Sequence, residues 1–246
     1  MLDEMESSQP RTAALGEAYV YEETGRRRQT RTFGEESRAA DTLRYRAVKR
    51  TFDIVLVVLS LPLLLPILGL VAAVVMLSSP GPVFYSHRRI RQNGAFFSMW
   101  KFRTMCKNST AVLEDHLAIH PDAREEWSRT HKLKHDPRTT PVGRFLRQYS
   151  IDELPQVWNV LQGQMTLVGP RPIVAAEVEK YGEGFQIYCR VKPGLTGLWQ
   201  VSGRSELTYP QRVALDCSYV RHWSLTRDVA ILFRTFFSVV NKDGAY

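Results

Sequence analysis

From Met1 to about Asp41 the chain is polar, rich in Glu, Arg, Ser, Thr and Gly, with no apolar period; at Ile54 the pattern changes, and 24 consecutive uncharged, mostly apolar positions run to Leu77. Such a run reaches roughly 36 Å as a helix, enough for a hydrocarbon core of about 30 Å. Its flanks point another way. Arg44, Arg46, Lys49 and Arg50 precede it, and Arg88, Arg89, Arg91, Lys101 and Arg103 follow it. Lys and Arg gather on the cytoplasmic side of a membrane, so a single crossing would carry one basic flank across. A helix that enters, breaks and returns keeps both inside. Pro62 and Pro66 supply the break, since a proline inside a helix removes a backbone hydrogen bond at a cost of about 3 kcal/mol. Backbone groups freed at membrane depth need a partner, and Ser60 stands close enough to serve. The competing reading is a proline-kinked span.

Beyond the apolar run, Ser79-Pro80-Gly81-Pro82 is a turn signal, and Val83-Phe84-Tyr85, then basic residues and Asn93-Gly94, predict a hairpin. Phe96 to Met105 continues as a strand that puts Lys101 and Arg103 on one face. Ser109 to Lys134 predicts two helices parted at Pro121. Arg144 and Arg147, three apart, share a helical face. Leu161 to Val168 is apolar and ends in Gly169-Pro170-Arg171-Pro172, a rigid loop holding one arginine; a second glycine-rich stretch, Val191 to Trp199, is followed by a glycine turn ending at Arg204. Tyr209 to Val240 reads as helical. Its last part, Val229 to Val240, is apolar apart from Arg234 and too short to span; it reads equally as an interfacial helix and as a core helix. The expected fold is α+β, mostly helical with a small β element near Val83 to Phe102, a re-entrant membrane helix-break-helix and interfacial amphipathic helices. The expected division is a disordered tail over 1–45, a membrane hairpin over 46–80 and one catalytic domain over 81–246.

Composition narrows the partners. The net charge of +8 and pI near 9.5 come without a recognisable nucleic-acid-binding motif, so anionic lipid and anionic substrate are expected rather than nucleic acid. The tail lacks the apolar run and cleavage site of a signal peptide. Cys106, Cys189 and Cys217 are far apart and lack metal spacing, which suits a reducing compartment and argues against zinc.

The chemistry concentrates in Ser150-Ile151-Asp152-Glu153-Leu154-Pro155-Gln156. One reading is a capping box, with Ser150 as N-cap and Glu153 reaching back. Pro155 weighs against it, because a helix begun at Ser150 would need the N–H that Pro155 lacks; the helix fits better if it begins near Asp152 or later. Both carboxylates then sit at a helix start, where free N–H groups favour phosphate and ionised carboxylate. An ionised Asp152 there can serve as a nucleophile, and Glu153 adds the second charge that Mg²⁺ wants beside phosphate oxygens and water.

From Lys49 to Tyr246 the chain resembles the monotopic phosphoglycosyl transferases, the bacterial sugar transferases that begin lipid-linked glycan assembly. The matching pieces, in order, are "KRTFD" from Lys49, "SPGPVFY", "KFRTM", "DPRTTPVGRFLR", "DELPQVWNVLQGQMTLVGPRP", "KPGLTGLWQVSGR" and "LDCSYVRHWSLTRDVAILF". The resemblance implies that Asp152 attacks the sugar-bearing phosphorus of a UDP-sugar, that UMP leaves, and that undecaprenyl phosphate takes the sugar phosphate from the aspartyl intermediate in a ping-pong cycle. It implies Mg²⁺ held by Glu153, and cations for the phosphate oxygens from Lys101, Arg103, Arg147, Arg171 and Arg204. Asp216 falls in the family's C-terminal acidic position, where it serves the metal or nucleotide or is a helix-surface aspartate.

The segments "HKLKHDPR", "YVRHWSL" and "KDGAY" look most like short-form enzymes that transfer galactose 1-phosphate, or less often glucose 1-phosphate, for exopolysaccharide or O-antigen. UDP-galactose or UDP-glucose, undecaprenyl phosphate and membrane phospholipid are therefore the implied partners, with a homodimer left open. The implied place is the bacterial inner membrane, with the catalytic domain on its cytoplasmic face. One departure concerns the membrane helix, where Leu65-Pro66 stands in place of a common Ser-Pro pair. A different function class, a membrane-anchored scaffold gripping anionic lipid, uses the same arginines but gains nothing from Asp152 beside Glu153.

Overall fold

The computed structural model describes residues 43–130, 133–203 and 206–240. Most of the expected N-terminal tail, Arg204 and the "KDGAY" terminus lie outside the described residues. The apolar run belongs to α1, Leu43–Ser78, a single helix of 36 residues with Pro62 and Pro66 both inside it. The expected gap between two helices is therefore absent. Each proline removes only one rung, and helix on either side carries the chain across; the Ser60 hydroxyl donates to the Val57 carbonyl at 2.7 Å, one position before the Val58 carbonyl that Pro62 leaves without a donor.

One stripe of α1 packs on the rest of the protein. Val57, Leu61 and Leu64 join one core cluster, and Leu68, Val71 and Val75 join another. These steps of four and three mark one helical face. The opposite face is bare: Leu59 and Leu63 are each 73% exposed, and Leu65, Leu70, Met76 and Leu77 are exposed with them. An apolar face of this size has no counterpart on an ordinary soluble surface.

Both ends of α1 are tied to the same body of structure. At its start, Lys49 meets Asp228 and Asp53 accepts from the Thr166 hydroxyl and the Leu167 N–H. Arg50 donates to the carbonyls of Val160 and Leu161. At its end, Arg103 donates to Ser79 O at 2.6 Å and to Val75 O at 3.3 Å. Gly81 completes that corner with φ +126°, and Arg103 occupies the space a side chain would need, so only glycine fits there.

The hairpin forms as its pattern predicts. Strands β1, Phe84–Ile90, and β2, Phe96–Phe102, pair antiparallel, and Asn93 and Gly94 both take positive φ in the turn. Helices α2, Ser109–Ile119, and α3, Pro121–Thr130, meet at Pro121 as expected. Then come α4, Pro141–Gln148, and, after the Ile151–Glu153 turn, α5, Gln156–Leu161. A second, parallel pair, β3, Thr166–Val168, with β4, Gly194–Thr196, extends the expected β content. Short helices α6, Val178–Tyr181, and α7, Gly184–Tyr188, lie between them in sequence. The chain continues with α8, Tyr209–Arg221, and α9, Leu225–Val240.

Asn159 on α5 serves as a surrogate strand for the free edge of β2. Its side chain accepts from Trp100 N and donates to Ser98 O, fully buried, which leaves no polar group of that contact unpaired. Helix α9 combines the two readings of its sequence. Asp228 and Ile231 face the core, while Val229, Phe233, Phe236 and Phe237, spaced for one helical face, are exposed, Phe233 at 66%.

Candidate active site

Asp152 and Glu153 sit on a single 3-10 turn, Ile151–Glu153, entered through Ser150 in the left-handed region at φ 54°. That entry is uncommon for a residue with a side chain. It lets the chain leave α4 and turn at once, with Ser150 N donating to Arg147 O and Glu153 N to Ser150 O. Pro155 stands immediately before α5, so the capping-box register does not form, for the reason its missing N–H gives. Ser150 makes no side-chain cap.

Lys101, the penultimate residue of β2, is the hub. Its ammonium lies 2.7 Å from Glu153 Oε1 and 3.4 Å from Asp152 Oδ2. The Asp152 side chain is 9% exposed and that of Glu153 24%. Burial raises the Asp152 carboxyl above the ordinary range; Lys101 opposes this, and the charge on Glu153 reinforces it. Burial also pushes Glu153 up, but Lys101, Arg171 and Arg89 together outweigh it and hold Glu153 low. The pair is thus split, one carboxylate firmly ionised and the other, the nucleophile candidate, made more basic.

The predicted cations divide into three groups. Arg147 on α4 stands near Asp152 and lowers its carboxyl, its Nε donating to the Thr104 hydroxyl at 2.9 Å and its Nη1 to that of Thr139 at 3.4 Å. Helix α4 that carries it starts at Thr140, whose hydroxyl accepts from Gly143 N. Gly143 packs directly on the Thr104 backbone, which seats the helix against the end of β2. Arg171 is held by its loop: Gly194 N donates to Pro170 O at 2.7 Å and Ile90 N to Ile173 O at 2.9 Å, and its guanidinium lies 5.7 Å from the Trp199 ring centroid. Arg103 stands just past β2, its N–H donating to Val83 O at 2.9 Å, and its side chain bonds to the end of α1 rather than to the carboxylates that hold Lys101. Arg204 lies outside the described residues. Asp216 stands behind the cluster, 1% exposed, accepting from the Tyr181 hydroxyl at 2.7 Å. Burial pushes it up to about 7, against the pull of Tyr181 and Arg171.

Two residues that sequence reasoning passed over complete the site. Arg89 on β1 and Gln156 at the start of α5 line a small cleft with Glu153, Arg171 and Gln200. Arg89 stood out only as one of many basic residues in the hairpin, and Gln156 only as the end of the dyad motif; neither has a local spacing that marks it.

Among the described residues no three His, Cys, Asp or Glu side chains gather as a metal cage. Asp152 and Glu153 nevertheless fit Mg²⁺, which commonly takes one or two protein carboxylates and fills its shell with substrate phosphate and water. The arrangement of one buried carboxylate, a second ionised carboxylate and surrounding Lys and Arg suits phosphoryl transfer, where positioning and charge stabilisation dominate.

Comparison with known proteins agrees with this chemistry. The model of a family described as bacterial sugar transferase matches residues 44–242. The undecaprenyl-phosphate galactose phosphotransferase of Salmonella typhimurium is 49% identical over 201 residues, covering 82% of this chain and 42% of the relative. The exopolysaccharide production protein ExoY of Rhizobium meliloti is 48% identical over 198 residues, covering 80% of this chain and 88% of the relative. The UDP-glucose:undecaprenyl-phosphate glucose-1-phosphate transferase of Escherichia coli is 41% identical over 209 residues, covering 82% of this chain and 42% of the relative. The chain thus spans less than half the length of the Salmonella and Escherichia proteins and most of the length of ExoY.

Proposed function

Because the chain belongs to the bacterial sugar transferase family, we propose that it transfers a hexose 1-phosphate from a UDP-sugar to undecaprenyl phosphate, releasing UMP, as the first membrane step of exopolysaccharide or O-antigen synthesis. The observation that carries this is the turn placing Asp152 and Glu153 around the Lys101 ammonium, with Arg147 near Asp152 and Arg171 near Glu153.

In the mechanism that follows, an oxygen of ionised Asp152 bonds the sugar-bearing phosphorus as the bond to UMP breaks. Lys101 and Arg147 offset the charge gathering on the phosphorus oxygens. The aspartyl phosphosugar is then attacked by the phosphate of undecaprenyl phosphate, and Asp152 leaves as carboxylate. Glu153 would hold Mg²⁺, which supplies charge neutralisation for the diphosphate. Galactose is the favoured sugar: the galactose phosphotransferase is 49% identical, against 41% for the glucose enzyme.

The proposed setting is the cytoplasmic face of the inner membrane, with α1 bent at Pro62 and Pro66 so that one continuous helix dips in and returns. What supports return rather than crossing is that Asp228 and Thr166, which hold its start, and Phe102 and Leu146, which pack at its end, belong to one folded body. A span would have to put a hydrocarbon core of about 30 Å between them. The exposed faces of α1 and α9 give phospholipid an apolar surface to cover.

The test is intact mass of the lipid-reconstituted protein after incubation with Mg²⁺ and UDP-galactose or UDP-glucose, without undecaprenyl phosphate. A hexose-phosphate adduct that disappears in Asp152→Asn is expected, larger with UDP-galactose. An active Asp152→Asn variant would remove the covalent mechanism, and failure of both donors to give adduct or lipid-linked product would remove the activity.

A further inference from the structure

Gly163, on the turn that follows α5, takes φ +75°, and a Cβ added there would lie 3.4 Å from the Lys192 Nζ and 3.6 Å from the Arg50 Nη2. Two cationic ends thus close on one small space that the glycine leaves open. Arg50 is anchored, its guanidinium donating to the carbonyls of Val160 and Leu161. Lys192 is half-buried and makes no hydrogen bond or ion pair among the described residues. Burial lowers its ammonium below the ordinary lysine range, and Arg50, Arg91 and Arg46 lower it further, against Asp53. Asp53 itself is engaged by Lys49, the Thr166 hydroxyl and the Leu167 N–H. The Nε of Arg91 is buried without an acceptor. Cations drawn out of water and left unpaired are costly, and what this cluster lacks is an anion. It is not the cluster of the candidate active site, where Lys101, Arg147, Arg171 and Arg89 act on the two carboxylates.

We propose that Lys192 and Arg50, around the open space at Gly163 and with Arg91 and Arg46 beside them, form a seat for the phosphate of an anionic phospholipid headgroup. This rests on the membrane setting proposed above. The level of the cluster is what selects a lipid over a dissolved anion. Lys49 pairs with Asp228, and the residue after Asp228 is Val229, where the bare apolar face of α9 begins. The residue after Lys49 is Arg50, about a turn and a half ahead of Val55, the first exposed side chain of the apolar run of α1. The seat therefore stands where two exposed apolar faces start, the depth at which headgroups meet acyl chains. Phosphate oxygens accept from lysine and arginine in charge-assisted bonds, and basic pockets at that depth are suited to anionic headgroups.

The experiment is native mass spectrometry of the full chain in neutral detergent, without donor or acceptor, titrated with phosphatidylglycerol, phosphatidylcholine or diacylglycerol. The wild type is compared with Lys192→Gln, Lys192→Arg, Arg91→Gln and, as a control that removes the same charge from an exposed position of α1, Arg44→Gln. Lys192 and Arg91 lie far apart in sequence, so one variant remains informative if the other melts early. The expected result is one phosphatidylglycerol retained per chain, with phosphatidylcholine and diacylglycerol held about tenfold less tightly or worse. Lys192→Gln and Arg91→Gln should each weaken retention about tenfold, while Lys192→Arg and Arg44→Gln stay within about twofold of wild type. Retention unchanged in both Gln variants at the seat, an equal loss in Arg44→Gln, or phosphatidylcholine held as tightly as phosphatidylglycerol would overturn the seat. Displacement of the lipid by inorganic phosphate at the same concentration would overturn the lipid as its occupant. Hexose-phosphate adduct formed by a chain that retains no phosphatidylglycerol would overturn the seat and leave the transfer reaction standing.

Discussion

The ammonium of Lys49 lies 2.5 Å from the Asp228 carboxylate, both side chains buried, and so joins the start of α1 to α9 across 179 positions of sequence. Asp228 also accepts from the Tyr219 hydroxyl at 2.7 Å and the Trp223 indole at 3.0 Å. Removing one partner of a buried pair strands the other, at about 3–5 kcal/mol. Asp228→Ala should therefore lower the denaturant midpoint of the reconstituted protein sharply, and Lys49→Met should do the same. A midpoint unchanged in both would mean the pair carries no stability.

Lys101→Met removes the cation that draws both carboxyls down. Both titrations then move up, and Asp152, already raised by burial, stays protonated to higher pH. The acid limb of the rate profile should shift to higher pH, with turnover at neutral pH falling about 100-fold or more. A profile of unchanged shape and reduced height would assign Lys101 a purely steric part.

Asp216 offers a stability test of opposite character. Its folded carboxyl is raised to about 7 by burial, from an ordinary value near 3.9 when unfolded. Between those values the native state binds more protons, so stability is full below the lower one and falls as pH rises through about 7. Melting temperature followed across that window should decline in the wild type and decline less in Asp216→Asn, a difference on the order of a few kcal/mol. Parallel curves would show that Asp216 does not titrate there.

If α1 returns to the side it entered from, tags at Met1 and at Tyr246 should both be accessible to protease added to the cytoplasmic face and both protected from the other. Tags found on opposite faces would replace the hairpin with a span.

Much of this organisation was written in short local signals. Asn93-Gly94 announces the hairpin because few other pairs accept two positive φ values, and Pro155 locates the start of α5 because it cannot donate. The parallel pair β3 and β4 left no such trace: three-residue strands are too short to show a period, and their partners lie far apart in sequence. Arg103 was legible as a neighbour of Lys101 on the strand, but nothing local says that its side chain bonds to the end of α1. Arg89 and Gln156 join the site only through the Ile90 to Ile173 bridge and the turn into α5, long-range events that no residue spacing encodes. Lys49 and Asp228 were each visible in a motif, but nothing local says that they meet.

The stripe of α1 that carries Val57 and Val75 makes the long apolar helix a wall of the core behind the candidate site. Cutting the chain after Ser78 to obtain a soluble enzyme would strip that wall away, exposing the apolar faces of β2 and α5 and leaving Asp228 without its cation. The apolar helix and the body that carries Asp152 and Glu153 share one core, so detergent or lipid that suits the helix is also a condition for the integrity of the candidate site.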